Sequence, residues 1–384
     1  MRLLISTFAL SDKYGSEESV AYRYLEQLHK STLTEAYEEV IVFTSAEFLD
    51  QSLINKFSLF KFIPISTTKK IKSIYYDQGN WIFYLWYFLY SFKVFLASFN
   101  FKPYHSWQLN LVGYREPGLL YLFSKKHIWG PVSGIADLDI KFIKKSKKKE
   151  SIKILINFFQ KNFSPSVFLA SRMSHSIFCV SSIDKKFFSE KSQKPKKVSY
   201  ICEVAPRYLL KHDQDLRKKT VLWVGKDLPR KALWLAKEIA SRCRETDFIF
   251  VGFDHESSQG SSNIKYIGRV SWEEMQSIYI SSNILLITSI QEATSTVCTE
   301  AIEHGLHIIS HDIGGIKNVT SNEISDLITV VSPEHSIDLM SRAIKEVDLS
   351  KLKGNYEKYE SSVFPDIELA AQYKKIEDSL ICSE

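Results

Sequence analysis

Two glutamates, Glu292 and Glu300, stand with seven residues between them in the stretch 283–315, NILLITSIQEATSTVCTEAIEHGLHIISHDIGG. A carboxylate is an acceptor-only group, suited to a ligand rich in hydroxyls. Two lysines stand earlier in the chain, Lys226 at the end of an apolar run and Lys231 at the start of a helical segment. Cations and helix N-termini in such places favour a negative charge. By residue type the chain therefore offers acceptors for hydroxyls and positive groups for an anion. Surface carboxylates and lysines that merely open a helix would look the same in isolation.

The elements around the glutamates decide between those readings. An apolar run at 284–287 stops at Thr288-Ser289, and a polar loop carries Glu292. Residues 296–304 have helical composition and carry Glu300, and a second apolar run, 306–309, ends in His-Asp and the pair Gly314-Gly315. Strand, loop, helix, strand is the unit from which parallel sheets are wound. In such sheets ligands bind beyond the carboxyl ends of strands, where Glu292 and the glycine pair should lie.

The same alternation runs along most of the chain. Residues 2–8 form a strand pattern, and a loop to Gly15 and Ser16 leads into a helix over about 17–30. Strands are expected at 40–44, 59–65, 103–111, 127–131, 176–180 and 198–202, with a helix starting at Pro117 and a lysine-rich loop to Lys197. Polarity rises after Pro206, which places a domain boundary there. Strands follow at 220–225, 248–252, 264–268 and 327–331, and helices at 231–243 and from His335. Ser271 and Glu274 form a capping box ahead of a further helix. Alternation in both halves predicts an α/β protein of two doubly wound domains.

Size and composition agree with this. A chain of 384 residues with 45% hydrophobic and 24% charged residues is that of a globular protein with two ordinary domains. Five scattered cysteines without metal-ligand spacing point to a reducing cytoplasm. The net charge of +6 hides an asymmetry: residues 141–161 carry eight lysines against Glu150, and 185–197 six lysines against Glu190. Such a basic patch suits an anionic surface. No nucleic-acid-binding module accompanies it, so nucleic acid is not an expected partner. Residues 81–99, WIFYLWYFLYSFKVFLASF, approach the ~20 apolar residues of a membrane span. Ten of the nineteen are aromatic and Lys93 interrupts them, which favours a packed or interfacial helix. The lysines and apolar residues of 141–161 suit either a helix lying on anionic lipid or a solvated face over a core stripe.

Taken together, the motifs resemble the retaining, nucleotide-sugar-dependent glycosyltransferases of the GT-B fold, the group-one or family-four type. The matching residues are Gly225-Lys226, Arg230-Lys231, Ile267-Gly268-Arg269-Val270, Glu292 to Glu300 with their spacing, Ala301-x-x-x-Gly305, and Asp312-x-Gly314-Gly315. In the first half, Gly15-Ser16-Glu17 and Trp129-Gly130-Pro131-Val132-Ser133-Gly134 are similar to the signatures of a bacterial envelope-polysaccharide subgroup. The segment from Phe364-Pro365 to Tyr373 resembles that family's last helix.

The resemblance implies two Rossmann-like domains facing a cleft: an acceptor domain at 1–205, a donor domain at 206–362, and a C-terminal helix at 363–384 crossing back to the first domain. It implies transfer of a sugar, with a hexose as the expected group, from a UDP- or GDP-linked donor to a lipid-linked or oligosaccharide acceptor, at the inner face of the cell membrane and without a metal. Lys226 and Lys231 would meet the donor diphosphate, Glu292 the transferred sugar, and Glu300 the ribose. These three, Glu292, Lys231 and Lys226, are the expected catalytic set. The donor site would be completed by Gly15, Ser16, Arg269, Val270, Ala293, Thr294, Ser295 and Thr296. Asp137-Leu138-Asp139 has metal-motif spacing in the wrong place and reads as incidental.

The family's usual histidine after the fifth strand is replaced by Trp129-Gly130-Pro131, so His105, Gly130 and Gly134 are the expected acceptor-side residues. The family usually has Arg at the position of Lys226, Gly at that of Ala232, and Glu-Gly-Phe-Gly where this chain has Glu292-Ala293-Thr294-Ser295. Those departures, with Ser133, keep two alternatives open: another GT-B nucleotide-sugar enzyme of the 2-epimerase type, and a catalytically silent partner subunit.

Overall fold

The computed structural model describes residues 1–11, 16–76, 82–137, 147–192, 197–201, 218–253, 262–293, 296–316, 327–352, 374–376 and 378–380. The chain divides into two compact units. The first comprises residues 1–135, 158–205 and 370–384, and the second residues 136–157 and 206–369. The division thus returns to the first unit at 370, and residues 136–157, expected in the first domain, group with the second.

The first unit holds β1 (Arg2–Thr7), α1 (Ser16–Lys30), β2 (Glu39–Ser45), α2 (Gln51–Lys56), β3 (Phe60–Ile65), α3 (Ile71–Tyr76), α4 (Ile82–Ser98), β4 (Tyr104–Asn110) and β5 (His127–Val132). After α5 (Lys147–Phe163), whose residues are shared between the units, it continues with α6 (Pro165–Met173), β6 (Ser176–Cys179), α7 (Ser182–Ser192) and β7 (Val198–Tyr200). The sheet is parallel, in the order β3-β2-β1-β4-β5-β6-β7. Strands such as β1 are buried at nearly every position because helices cover both faces of a parallel sheet.

The second unit holds β8 (Thr220–Val224), α8 (Leu233–Arg242), β9 (Asp247–Val251), β10 (Ile264–Ile267), α9 (Trp272–Ile280), β11 (Ile284–Ile287), α10 (Thr296–Glu303), β12 (His307–His311), β13 (Ile328–Val331) and α11 (Ser336–Glu346). Its sheet is parallel, ordered β10-β9-β8-β11-β12-β13. One face packs Leu285, Ile308 and Ile302 of α10, and the other packs Leu286, Ile309 and the inner sides of α8 and α11. At α9 the capping box is complete: Ser271 Oγ accepts from the Glu274 amide at 3.2 Å, and the Ser271 amide donates to Glu274 Oε2 at 2.8 Å. Both units are doubly wound, Rossmann-like sheets.

Two local expectations fail for physical reasons. No helix starts at Pro117, because Gly118 takes a φ of +63°, outside the right-handed region, and only a short turn follows at Leu120–Leu122. The lysine-rich stretch before Lys197 is mostly helix α7. Its turn is tied by the Asp184 amide donating to Ser181 Oγ at 3.2 Å, and it buries Asp184, Phe188 and Ser192 at intervals of four while the lysines stay outside.

Helix α4 is the aromatic segment. Tyr87, Tyr90, Val94 and Ser98 are buried toward the sheet, while Leu85, Phe88, Phe92, Leu96 and Phe99 form an exposed stripe. By length and composition alone Ile82–Phe101 could cross a membrane, but one face is occupied by the first unit's core. Near the other end of the chain, Ile376 and Leu380 are fully buried, Lys375 Nζ donates to the Tyr200 carbonyl at 3.4 Å, and the Ser176 and Ser379 hydroxyls lie 2.9 Å apart. Residues 364–373 lie outside the described residues.

Candidate functional site

In the second unit the strand order reverses between β8 and β11, so the loops that leave these two strands diverge around a crevice at their carboxyl ends. The β8 loop carries Lys226, Arg230 and Lys231, and the β11 loop carries Glu292. Three contacts tie the β8 segment to the β11 segment, and a further one ties the β11 loop to β12. Trp223 Nε1 donates to Thr288 Oγ1 at 2.9 Å, and Thr288 Oγ1 donates to the Lys231 carbonyl at 2.9 Å. The Ile290 amide donates to the Arg230 carbonyl at 2.8 Å, and His311 Nδ1, at the end of β12, donates to the Ser289 carbonyl at 2.9 Å. A carbonyl only accepts, so His311 carries its proton on Nδ1.

Glu292 is the electrostatic centre of this arrangement. Its side chain is 7% exposed. Oε1 pairs with Lys231 Nζ and accepts from Ser289 Oγ at 2.7 Å, while Oε2 pairs with the Arg230 guanidinium at 3.1 Å. Burial pushes its pKa up, but Lys231 and Arg230 outweigh burial and hold the carboxyl below its ordinary range. It is a carboxylate at neutral pH. Lys226 is exposed and makes no ion pair among the described residues. Glu300, on α10, accepts from the buried Tyr279 hydroxyl at 2.7 Å, which turns its carboxylate to one side of the helix.

Ala232 caps α8 at a φ of +48°. A side chain in the left-handed region is strained, which is the physical reason for glycine to be preferred where a lysine must be followed by this turn. Behind Glu292, Gly314 has a φ of +55°, and a Cβ there would come within 2.0 Å of the Ala293 carbonyl oxygen. The Gly315 amide donates to that same oxygen at 2.6 Å. The glycine pair therefore props the loop that holds Glu292.

The structure gathers Lys226, Lys231, Glu292 and Ala293 at this crevice, with Thr296 and Glu300 on the helix that follows. Arg269 is exposed just beyond β10, and Val270 is half-buried against the core. Gly15, Thr294 and Ser295 lie outside the described residues, and Ser16 is placed only as the first residue of α1. Among the described residues no group of three or more His, Cys, Asp or Glu is arranged to hold a metal ion.

Of the expected acceptor-side residues, His105 lies away from the carboxyl edge of the sheet. His105 is the second residue of β4, at the amino edge of the sheet, where Leu3 of β1 lies beside it. Its Nδ1 lies 2.9 Å from the Tyr37 hydroxyl, and burial with Lys126 and Lys125 lowers its pKa to about 4. That is the end of the sheet opposite the one where ligands bind. Gly130 is likewise a packing residue: at a φ of +138° its Cβ would meet the Phe178 carbonyl oxygen at 2.4 Å. Gly134 follows β5 at a φ of +96° beside Tyr114.

At the carboxyl ends of β1 and β4 the structure instead brings together Glu17 and Glu116. Burial and Glu18 raise the pKa of Glu17 to about 7, and burial and Glu17 raise that of Glu116 to about 8. Tyr75 donates to Glu17 Oε2 at 3.3 Å, and Asn110 Nδ2 donates to the Glu17 carbonyl at 3.0 Å. In the sequence Glu116 stood in a plain loop, and its burial carried no signal.

Comparison with known proteins agrees with this fold. Residues 218–347 match the family model "Glycosyl transferases group 1". Over 157 residues, 37% of this chain, the sequence is 26% identical to the phosphatidylinositol N-acetylglucosaminyltransferase GPI3 subunit of Saccharomyces cerevisiae, and the match spans about a third (34%) of that relative's length. Two solved structures match essentially end to end. An Anabaena protein, Alr3699/HepE, in complex with UDP-glucose, has a TM-score of 0.59 at 12% identity, covering 98% of this chain and 99% of its own. WaaG, a glycosyltransferase involved in lipopolysaccharide biosynthesis, has a TM-score of 0.59 at 14% identity, covering 99% of this chain and 100% of its own. Residues 218–347 thus resemble the group 1 glycosyltransferases, and the chain as a whole has a GT-B-like fold of two Rossmann-like units.

Proposed function

We propose that this protein moves a sugar, a hexose by expectation, from a nucleotide-sugar donor to a lipid-linked or oligosaccharide acceptor. Configuration at the anomeric carbon is retained and no metal takes part. The observation that carries the reading is the convergence of Lys226, Arg230 and Lys231 with Glu292 where the second sheet's order reverses. The donor leaves as a nucleoside diphosphate, so negative charge grows on the leaving group as the glycosidic bond breaks. Lys226 and Lys231, with the N-terminus of α10, stabilise that charge more in the transition state than in the ground state. Glu292 accepts from hydroxyls of the transferred sugar and stabilises the positive charge developing on its ring. Glu300, turned by Tyr279, accepts from the ribose. UDP-glucose bound to the Anabaena neighbour supports a nucleotide-sugar donor, and the role of WaaG in lipopolysaccharide biosynthesis supports an envelope glycan as the product.

Calorimetry with a panel of UDP- and GDP-sugars tests the reading. One donor should bind, and Glu300→Ala should weaken it about tenfold or more, the scale of a lost charge-assisted hydrogen bond. Absence of binding by every donor would sink the proposal.

The acceptor's lipid calls for a membrane, and we place the protein at the inner face, bound peripherally to anionic lipid. The exposed stripe of α4 supports this. Lys102 Nζ lies over the Phe99 and Phe123 rings, at 4.0 and 3.8 Å, and the sequence from 78 to 115 contains no acidic residue. Apolar rings beside lysines suit the lipid headgroup boundary. The basic stretch at 141–146 lies outside the described residues, but Ile152, Leu155, Ile156 and Phe159 of α5 are also exposed. Combining Leu85→Ser, Phe88→Ser and Leu96→Ser should reduce binding to phosphatidylglycerol-containing vesicles about tenfold or more, since each removes a large apolar group. Unchanged vesicle binding would remove α4 from the account.

A further inference from the structure

We propose that Arg230, paired with Glu292 at 3.1 Å, is also a diphosphate-binding residue, so that the donor's β-phosphate and Glu292 compete for one guanidinium. This rests on the donor-site reading above. Arg230 stands between Lys226 and Lys231 in the β8 loop, and its main chain is pinned by the Ile290 amide at 2.8 Å. Its side chain is 39% exposed, against 14% for Lys231 and 7% for Glu292. Of the two cations on the carboxylate, Arg230 is therefore the one whose head can turn outward without uncovering a buried charge.

The chemistry favours that exchange. An ion pair with an exposed head contributes little, whereas a guanidinium meets phosphate through a planar fork that neither Lys226 nor Lys231 can present. Glu292 Oε1 stays occupied by Lys231 and Ser289, and only Oε2 is released. The freed oxygen is an acceptor-only group, suited to a sugar hydroxyl. Arrival of the diphosphate thus makes Glu292 available to the sugar, and recognition of the two halves of the donor becomes linked through one side chain. Asp227, in the same loop, is exposed and would oppose the phosphate, which makes a third cation more useful here.

Calorimetry of UDP, UMP, GDP and GMP on the full chain, at constant ionic strength, tests this. Arg230→Gln should weaken the diphosphate about tenfold or more and the monophosphate little, so the preference for diphosphate over monophosphate collapses. Arg230→Lys should fall between, and it serves also if the glutamine variant does not fold. Glu292→Gln should tighten the free diphosphate several-fold, because its competitor for Arg230 is gone. Equal losses for diphosphate and monophosphate in Arg230→Gln, or weaker diphosphate binding in Glu292→Gln, would overturn the inference. Failure of the wild type to bind any of the four nucleotides would instead overturn the donor-site reading, and this inference with it.

Discussion

Replacing Glu292 with alanine should reduce sugar transfer by about 10²-fold or more, the scale seen when a group that stabilises transition-state charge is removed. In the proposed mechanism the loss should fall on kcat/KM and kcat together, because a contact made chiefly in the transition state is removed. A second consequence does not depend on substrate. Alanine leaves Lys231 and Arg230 without the anion that both face. Breaking a buried pair from one side is costly, but both cations here reach solvent, so about 1–2 kcal/mol of stability should be lost at neutral pH.

The pH dependence has a definite sign. The pKa of Glu292 is held below its ordinary value in the folded protein. Its pairing therefore stabilises the fold fully above the unfolded carboxyl pKa of about 4.3, and that stabilisation fades as pH falls through the lower, folded value. The difference in stability between wild type and Glu292→Ala should shrink on acidification from neutral pH to about pH 3. Denaturant titrations at several pH values measure it. A difference that grows on acidification would show that Glu292 is not held as an ion-paired carboxylate.

Gly314→Ala should destabilise the second unit by about 3 kcal/mol, lowering its melting temperature by roughly 6–12 °C. Two causes add. Backbone at a φ of +55° is strained for a residue with a Cβ. The new carbon would also sit 2.0 Å from the Ala293 carbonyl oxygen and 2.3 Å from that of Glu292. Neither oxygen is the far end of a flexible side chain, so relief requires the loop itself to move. Because that loop carries Glu292, donor affinity should fall even at temperatures where the variant stays folded. Differential scanning calorimetry beside donor titration separates the two effects. A wild-type melting temperature with unchanged donor affinity would mean that the glycine pair does not support the loop.

Much of the architecture was legible in the residues. The strand Ile284–Ile287, the capping box at Ser271 and the alternation of apolar runs with helical segments all depend on neighbours a few positions away, and period and cap chemistry are written locally. The spacing of Glu292 and Glu300 was likewise visible, since the two lie close in the chain and Glu300 falls in the second turn of α10. Local patterning misled where two signals overlapped. The lysines of α7 read as a loop because the buried Asp184, Phe188 and Ser192 were fewer than the charges around them. Pro117 read as a helix start until Gly118 took a left-handed conformation.

What the tertiary structure decided was which ends of which elements meet. His105 lay in a correctly read strand, but at its amino edge, while Glu116 reached the carboxyl edge from an unremarked loop. Arg230 and Glu292 are 62 positions apart, and nothing in either segment announces that they share an ion pair. That pairing exists because β8 and β11 lie side by side at the point where the strand order reverses. Residue type and local period determine the elements and the chemistry they can carry. Strand order and the direction of each strand determine which of those groups come together, since that depends on packing between segments distant in the chain.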